Sequence, residues 1–241
     1  MCRGLARVLS KAGICSRTVA AEWIRAGRVR VDGALVRDPE RRIVPERAVV
    51  TLDGRRIGAV AHAYWALHKP RGFVTTRSDP AGRRTVYDLV GEIAAWAIAV
   101  GRLDRDTSGL LLFTNDTQFA ERVTNPTSHV PKTYRATVKP RLPDAALEKL
   151  RAGVVLSDGP TRPARVARIG DRGPTTVLEL TISEGRNRQV RRMIREVGGK
   201  VVTLVRVSIG PVELGDLAAG AVRELTAREV RALLRAGSEE R

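Results

Sequence analysis

Near the middle of the chain, a polar loop runs without a break into an apolar segment. Residues 101–109 carry Asp104 and Asp106 between two glycines, and residues 110–113 are all apolar. Glycine permits tight or left-handed backbone at the ends of such a loop. A short continuous apolar run is typical of a covered strand. The pattern therefore predicts a carboxylate fixed at the mouth of a buried strand.

The overall composition fits a soluble globular protein. The chain has 241 residues and 43% hydrophobic content, enough for one large domain or a small domain beside a larger one. No apolar run approaches the roughly 18 residues of a membrane helix, and the N-terminus lacks the apolar segment of a secretory signal. Cys2 and Cys15 are too few for a disulfide framework. We expect a cytoplasmic protein without a membrane association.

The charge of the chain indicates a polyanionic partner. Lysine and arginine total 43 against 26 acidic residues, a net charge of +17. Only six of the basic residues are lysines. The arginine guanidinium is a planar fork that grips phosphate through two hydrogen bonds. A general bias toward arginine explains part of this excess but does not explain why the charges cluster.

The first cluster lies in residues 3–58, which carry 13 basic and 6 acidic residues. Apolar residues at helical spacing predict one helix that ends at Gly13 and a second that begins after the N-cap Ser16. An Asp32-Gly33 pair between alternating apolar residues predicts a hairpin. Four cations on and just after the second helix are predicted RNA contacts: Arg17, Arg25, Arg28 and Arg30.

The segment LARVLSKAGICSRTVAAEWIRAGRVRVDGALVRDP resembles the S-four-like (alpha-L) RNA-binding module. The order helix, Ser-Arg, helix and GRVRVDG carries the resemblance, and Thr18 stands where a second basic residue is usual. The resemblance implies an RNA-binding domain over residues 1–58, followed by a linker at 59–63 and a second domain at 64–241. The alternative is a small packed domain with a solvated arginine face.

The second domain is predicted to be α+β. Strand and helix patterns are dispersed along it, and neither GxGxxG nor GxxxxGK occurs. This dispersal favours a mixed, mainly antiparallel sheet flanked by helices. The predicted strands cover residues 64–67, 96–100, 110–113, 132–138, 164–169, 176–182 and 201–209. Helices are predicted after residues 115–116, over 142–150, around 190–197 and after a capping box at Thr226 and Glu229.

The segment GRLDRDTSGLLLFTND resembles the central motif of the RsuA/RluB family of ribosomal RNA pseudouridine synthases. The resemblance continues in order through HKPRGFVTT, HVPKTYRATV, ISEGRNRQVRRMIREVGGKVVTLVRVSIGPVEL and LTAREVRALL, so that it spans essentially the whole chain. It implies site-specific isomerisation of uridine to pseudouridine in ribosomal RNA. The segment KPRGFVTTRSDPAGRRTVYDLV looks closer to the RluB type, which acts on large-subunit RNA.

The same resemblance implies three catalytic residues. Asp104 matches the catalytic aspartate, which would act as a nucleophile at the anomeric carbon or as a base at the 2′ position. Arg191 matches a basic residue that would pair with this carboxylate and keep its pKa low. Tyr134 matches a tyrosine whose ring would stack on the flipped uracil. The reaction needs no metal and no organic cofactor.

Further cations are predicted RNA contacts in the second domain: Lys69, Arg71, Arg102, Lys132, Arg186, Arg188 and Arg192. Two other functions stay open from the residues alone. One is a non-catalytic RNA-binding or ribosome-assembly protein on the same scaffold. The other is a metal-dependent nuclease built on Asp104 and Asp106, for which further ligands are missing. We expect a monomer whose partner is ribosomal RNA.

Overall fold

The computed structural model describes residues 2–45, 47–57 and 61–236, and for Ala94 and Ala95 the backbone only. Six α-helices lie within these residues: α1 Leu5–Lys11, α2 Arg17–Arg25, α3 Thr117–Thr124, α4 Asp144–Ala152, α5 Gln189–Glu196 and α6 Ala227–Arg235. None of the helices in this part of the chain is long and apolar enough to cross a membrane.

The strands of the described residues form four sheets. Before residue 57 they are β1 Arg3–Gly4, β2 Val29–Val31, β3 Ala34–Leu35, β4 Arg42–Ile43, β5 Val50–Leu52 and β6 Arg55–Arg56. After residue 61 they are β7 Tyr64–Lys69, β8 Ile98–Val100, β9 Ser108–Thr114, β10 Lys132–Lys139, β11 Val155–Leu156, β12 Gly159–Pro160, β13 Arg165–Arg172, β14 Thr175–Ile182, β15 Lys200–Ile209, β16 Val212–Glu213 and β17 Val222–Glu224.

The N-terminal part has a hydrophobic core of its own. Leu5 and Leu9 of α1, Ala20 and Ile24 of α2, and Val29 of β2 are buried together. The Ser16 hydroxyl accepts a hydrogen bond from the backbone of α2, as predicted for an N-cap. The strand order is β3-β2-β5-β6, and all three pairings are antiparallel. The predicted helices and hairpin are confirmed.

The remaining strands build one large sheet in the order β13-β14-β10-β15-β9-β7-β17. Every neighbouring pair along this path is antiparallel except β9 and β15, which run parallel. The predicted mixed, mainly antiparallel sheet is therefore confirmed. Some bounds differ from prediction: β7 continues to Lys69, and β8 begins at Ile98 because residues 91–95 form a 3-10 helix.

Strand β9 is covered on both faces. Leu110 and Leu112 belong to the core under α3 and α6, where they are buried with Phe119. Leu111 and Phe113 belong to a separate core. A strand with two buried faces lacks a polar side, and this explains why residues 110–113 read as a continuous apolar run.

The Asn115 side chain forms hydrogen bonds with the segment that joins the N-terminal part to the large sheet. Its side-chain oxygen accepts a hydrogen bond from the Ala63 backbone N–H, and its amide nitrogen donates to the Ala61 carbonyl. The side chain also lies against Gly13 at the end of α1. Residues 59 and 60 of the predicted linker lie outside the described residues, and the domain boundaries stay a prediction.

Candidate active site

The aspartate loop borders a cavity of about 150 Å³ on the large sheet. The cavity is lined by the loop, the first turn of α5 and one end each of β10 and β15. Asp104, Tyr134 and Arg191, the three residues predicted to be catalytic, all line it. The other polar side chains of the lining include Arg102, Thr107, Lys132, Glu184, Arg186, Arg188, Gln189 and Arg206.

Three neighbouring strands bring the cavity residues together. Tyr134 of β10 lies directly opposite Arg206 of β15. Arg206 in turn pairs with Gly109 of β9, the residue that closes the aspartate loop. Gly109 has φ +110°, and a Cβ there would lie 2.3 Å from the Arg206 carbonyl oxygen. Only glycine lets the loop enter the strand this close to its neighbour.

The backbone of the aspartate loop is braced by the segment around Lys69. Lys69 is 0% exposed, and its ammonium donates to the carbonyl oxygens of Pro70, Asp104 and Thr107 at 3.1, 3.1 and 2.8 Å. Burial lowers the pKa of Lys69 to about 8, although the nearby Asp104 and Asp106 carboxylates favour its charged form. The predicted RNA contact of Lys69 is corrected, because this buried ammonium positions the loop.

The following residues brace the loop from its other side. The Gly72 N–H donates to the Arg105 carbonyl oxygen at 2.8 Å. The Thr75 hydroxyl donates to the Leu103 carbonyl at 2.8 Å and accepts from the Leu103 N–H at 3.2 Å. The segment HKPRGFVTT therefore fixes the backbone on both sides of Asp104.

The cation beside the Asp104 carboxylate is Arg188. Its guanidinium lies 3.6 Å from Asp104 and 3.3 Å from Asp106. Burial raises the Asp106 pKa, but the hydrogen bond and charge of Arg188, the charge of Arg191 and a backbone hydrogen bond together lower it overall. The side chain of Asp104 is 28% exposed toward the cavity. Arg188 is thus shared by the two carboxylates, the charge of Arg191 acts on both as well, and Asp104 stays accessible.

Arg188 occupies a strained position at the start of α5. It is the N-cap of the helix and has φ 48° and ψ 32°, in the left-handed region. A non-glycine residue pays roughly 1–2 kcal/mol for this conformation. Strain of this kind persists where the surrounding structure imposes it, and it concentrates at functional sites.

Arg191 makes a different contact from the one predicted. Its guanidinium donates to the Asp106 carbonyl oxygen at 3.0 Å and to the Thr107 hydroxyl at 3.4 Å. Burial lowers its pKa, against the attraction of the Asp106 carboxylate. The prediction that Arg191 pairs with the Asp104 carboxylate is corrected: Arg191 holds the loop backbone, and Arg188 provides the ion pair.

Arg206 is a cavity residue that the motifs did not single out. It is 4% exposed, and its Nε donates to the Leu110 carbonyl oxygen at 2.8 Å. Its Nη2 is buried without a hydrogen-bond partner among the described residues. Lys132 is the neighbouring cation, and its pKa is lowered to about 8 by burial and then by the charge of Arg206. An orphaned buried donor is costly, so a substrate oxygen is a fitting partner for it.

The other predicted RNA contacts differ in whether their side chains already bind groups of the protein. Arg186 donates to the Glu184 carboxylate and to the carbonyl oxygens of residues 158–160. Arg192 donates to the Asp158 carboxylate. Arg17 and Arg28 pair with Glu40 and Asp53. Arg30 donates to the Gly33 carbonyl. Exposed side chains include Arg25, Arg71 and Arg102.

The site has no ligand set for a metal. Within residues 2–45, 47–57 and 61–236, no group of three or more His, Cys, Asp or Glu side chains could hold an ion. Asp104 and Asp106 share Arg188 as their partner. A two-metal nuclease requires additional ligands that this arrangement does not supply.

Comparisons with known proteins show which families, relatives and solved structures this chain is similar to. The RNA pseudouridylate synthase family matches residues 63–196, and the S4 domain matches residues 3–49. An uncharacterised RNA pseudouridine synthase of Mycobacterium leprae is 43% identical over 95% of this chain and 91% of its own length. The ribosomal large subunit pseudouridine synthase B of Bacillus subtilis is 38% identical, over 95% and 94% respectively. The crystal structure of a pseudouridylate synthase superposes with a TM-score of 0.70 at 32% identity, covering 96% of this chain and 99% of that one.

Proposed function

The chain belongs to the RNA pseudouridylate synthase family, and on that premise we propose that it isomerises a specific uridine of large-subunit ribosomal RNA to pseudouridine. The observation that carries the proposal is the accessible Asp104 carboxylate, held between a braced loop and Arg188 and sharing a cavity with Tyr134. The large-subunit assignment follows the relatives named ribosomal large subunit pseudouridine synthase B.

The reaction sets the requirements for the site. The bond between N1 of uracil and carbon 1′ of ribose breaks, the base turns, and carbon 5 bonds to carbon 1′. Carbon 5 then loses its proton, and N1 ends protonated. The reaction involves no net redox change and no transferred group, so its chemistry requires no organic cofactor. The reacting base must leave the RNA stack and enter a pocket.

Asp104 is the proposed group that acts on the ribose. It does so as an ionised carboxylate, either by attack at carbon 1′ or by removal of the 2′ proton. The Arg188 guanidinium lies 3.6 Å from this carboxylate. The two routes differ in one observable. A substrate deuterated at carbon 2′ shows a large primary isotope effect only if the carboxylate takes that proton, whereas attack at carbon 1′ gives only a small secondary effect.

Tyr134 and Arg206 are the proposed residues that hold the flipped base. They face each other across β10 and β15 at the cavity. The tyrosine ring offers a stacking surface for uracil. The unpartnered Nη2 of Arg206 donates to a substrate oxygen in this arrangement. A base held by stacking and one strong donor can turn before carbon 5 bonds.

The N-terminal module, residues 1–58 in our proposed division, supplies RNA affinity to the catalytic domain at 64–241. The S4 domain match and the net positive charge of this segment support that role. We propose that the protein acts as a monomer on ribosomal RNA in the cytoplasm.

The proposal is tested by mapping pseudouridines in ribosomal RNA from cells with and without the gene. We expect one large-subunit pseudouridine to disappear, and to return with the wild-type gene but not with an Asp104→Asn gene. An unchanged map together with a ribosome-assembly defect would favour the non-catalytic alternative.

A further inference from the structure

A second cationic surface lies at the end of the large sheet away from the cavity. β10 and β15 reach the cavity through Tyr134 and Arg206, and their other ends meet at the cross-strand pair Lys139 and Lys200. At roughly 3.3 Å per residue, Lys139 lies about 17 Å along β10 from Tyr134. Arg195, in the last turn of α5, joins the two lysines in lining an open groove of about 790 Å³.

The two lysines lie directly opposite each other, and no acidic side chain of the described residues pairs with either of them. Like charges at directly opposed positions of an antiparallel pair repel each other and destabilise the sheet. Lys139, Lys200 and Arg195 are exposed, and their side chains make no hydrogen bond or ion pair within the described part of the chain. The lining of the groove holds no Asp or Glu, and Glu196, the acid next to Arg195, is outside it. The groove is therefore an uncompensated positive surface.

Other arginines of the same domain are neutralised by the protein itself. Arg168 pairs with Asp144 and Asp171, and Arg192 pairs with Asp158. The high arginine content of the chain thus does not by itself leave positive surfaces. The contrast indicates that the three cations of the groove are available to an external anion.

The backbone beside the groove is fixed. A Cβ added at Gly199 would lie 2.7 Å from Val138 Cγ1 and 2.8 Å from Ile194 Cγ2. The turn from α5 to β15 therefore packs closely against buried core side chains. This packing holds Lys200 beside Lys139 and below the end of the helix that carries Arg195.

We propose that the groove lined by Lys139, Arg195 and Lys200 binds the phosphate backbone of the ribosomal RNA that flanks the target uridine. The proposal rests on the proposed function, because it assigns the groove to the same RNA. Helix α5 links the two places: Arg188 and Arg191 lie at the cavity, and Arg195 lies at the groove. Phosphate contacts from such cations release counterions and add affinity without regard to sequence.

The test compares two triple variants with equal loss of charge. The groove variant is Lys139→Gln, Arg195→Gln and Lys200→Gln. The control variant is Lys149→Gln, Arg172→Gln and Arg228→Gln, at exposed positions outside the groove. The measurements are the Kd for a large-subunit ribosomal RNA transcript between low and moderate salt, and the isomerisation rate at saturating RNA.

The groove variant is expected to bind about tenfold more weakly near 0.1 M salt, with a salt slope smaller by about 2–3 than that of wild type. Its isomerisation rate at saturating RNA stays at the wild-type value. Its unfolding temperature is equal to or above that of wild type because the lysine repulsion is relieved, so lost affinity does not reflect unfolding.

Equal affinity and equal salt slope in the groove and control variants would overturn the proposal. The proposed function fails separately, if wild type forms no pseudouridine while it binds the transcript. In that case a weakened groove variant still supports the groove as an RNA contact, because binding is measured independently of catalysis.

Discussion

At the level of single residues, the site depends on how the backbone around Asp104 is held. Lys69 donates to the carbonyl oxygens of Asp104 and Thr107 in that loop, and Arg191 donates to the carbonyl oxygen of Asp106. These contacts leave the Asp104 carboxylate itself to Arg188 and the cavity. A loop fixed through its backbone can present a carboxylate in one orientation, which proximity-based catalysis requires.

The Lys69→Met variant tests this role. It leaves buried carbonyl oxygens without their donor, so we expect the free energy of unfolding to fall by about 1–3 kcal/mol. Isomerisation should fall strongly, because the aspartate loop is released, while RNA affinity and its salt slope stay close to wild type. A variant with normal stability and a salt slope smaller by about 1 would instead make Lys69 a phosphate contact.

The same residue predicts a dependence of stability on pH. The pKa of Lys69 is lowered from 10.5 to about 8 by burial, so between these values the unfolded chain binds more protons than the folded one. The stability of wild type relative to Lys69→Met should therefore rise as the pH increases from 8 to 10.5. Denaturant unfolding of both proteins across this range measures the difference. A constant difference would contradict the buried ammonium.

At the level of elements, the junction of β9 and β15 builds the site. Gly109 and Arg206 are paired in the parallel ladder, and their close approach sets the loop beside the cavity. This is the one parallel contact along the main path of the large sheet, and it joins residues far apart in the chain. The position of the site is therefore a property of sheet topology.

Gly109→Ala should prevent folding or cost more than about 3 kcal/mol, because its Cβ would meet the Arg206 backbone at 2.3 and 2.5 Å. Gly72→Ala is the matched control, since Gly72 has φ +95° but no atom within 4 Å of the added Cβ. The control should cost only the roughly 1–2 kcal/mol of a left-handed residue. Similar thermal unfolding of the two variants would show that close approach at Gly109 is unimportant.

Local patterns predicted the elements well and their contacts poorly. The Ser16 cap and the capping box at Thr226 and Glu229 depend on neighbours within four residues, and both are present. The pairing of Tyr134 with Arg206 depends on strand order, which no local pattern encodes. For the same reason, the motif predicted an ion pair between Arg191 and Asp104. In the structure, Arg188 at the N-cap of α5 makes this ion pair. Lys69 was misread because a charged residue at a strand end is usually exposed.

At the level of the whole molecule, the four hydrophobic cores of the described residues belong to two separate parts of the chain. The N-terminal core contains residues from Leu5 to Val50, and the large sheet has cores of its own. Contact between the two parts includes Gly13 and Asn115. This arrangement supports an RNA-binding module that adds affinity to a separately folded catalytic domain.

Removal of residues 1–58 tests that division. The remaining chain should unfold cooperatively, because its cores do not include residues of the N-terminal core. RNA binding should weaken, with a flatter dependence on salt, because the cations of the first segment are lost. Circular dichroism and salt-dependent binding measure the two effects. Wild-type affinity and slope in the truncated protein would remove the RNA-binding role of this module.

The proposed isomerisation of uridine in ribosomal RNA depends on the Asp104 carboxylate. It is tested most directly by tritium release from large-subunit ribosomal RNA labelled at carbon 5 of uridine, for wild type and Asp104→Asn. We expect release by wild type and a rate at least about a hundredfold lower in the variant, with RNA affinity unchanged. Equal release by the two proteins, or no release by a wild-type protein that binds the RNA, would contradict it.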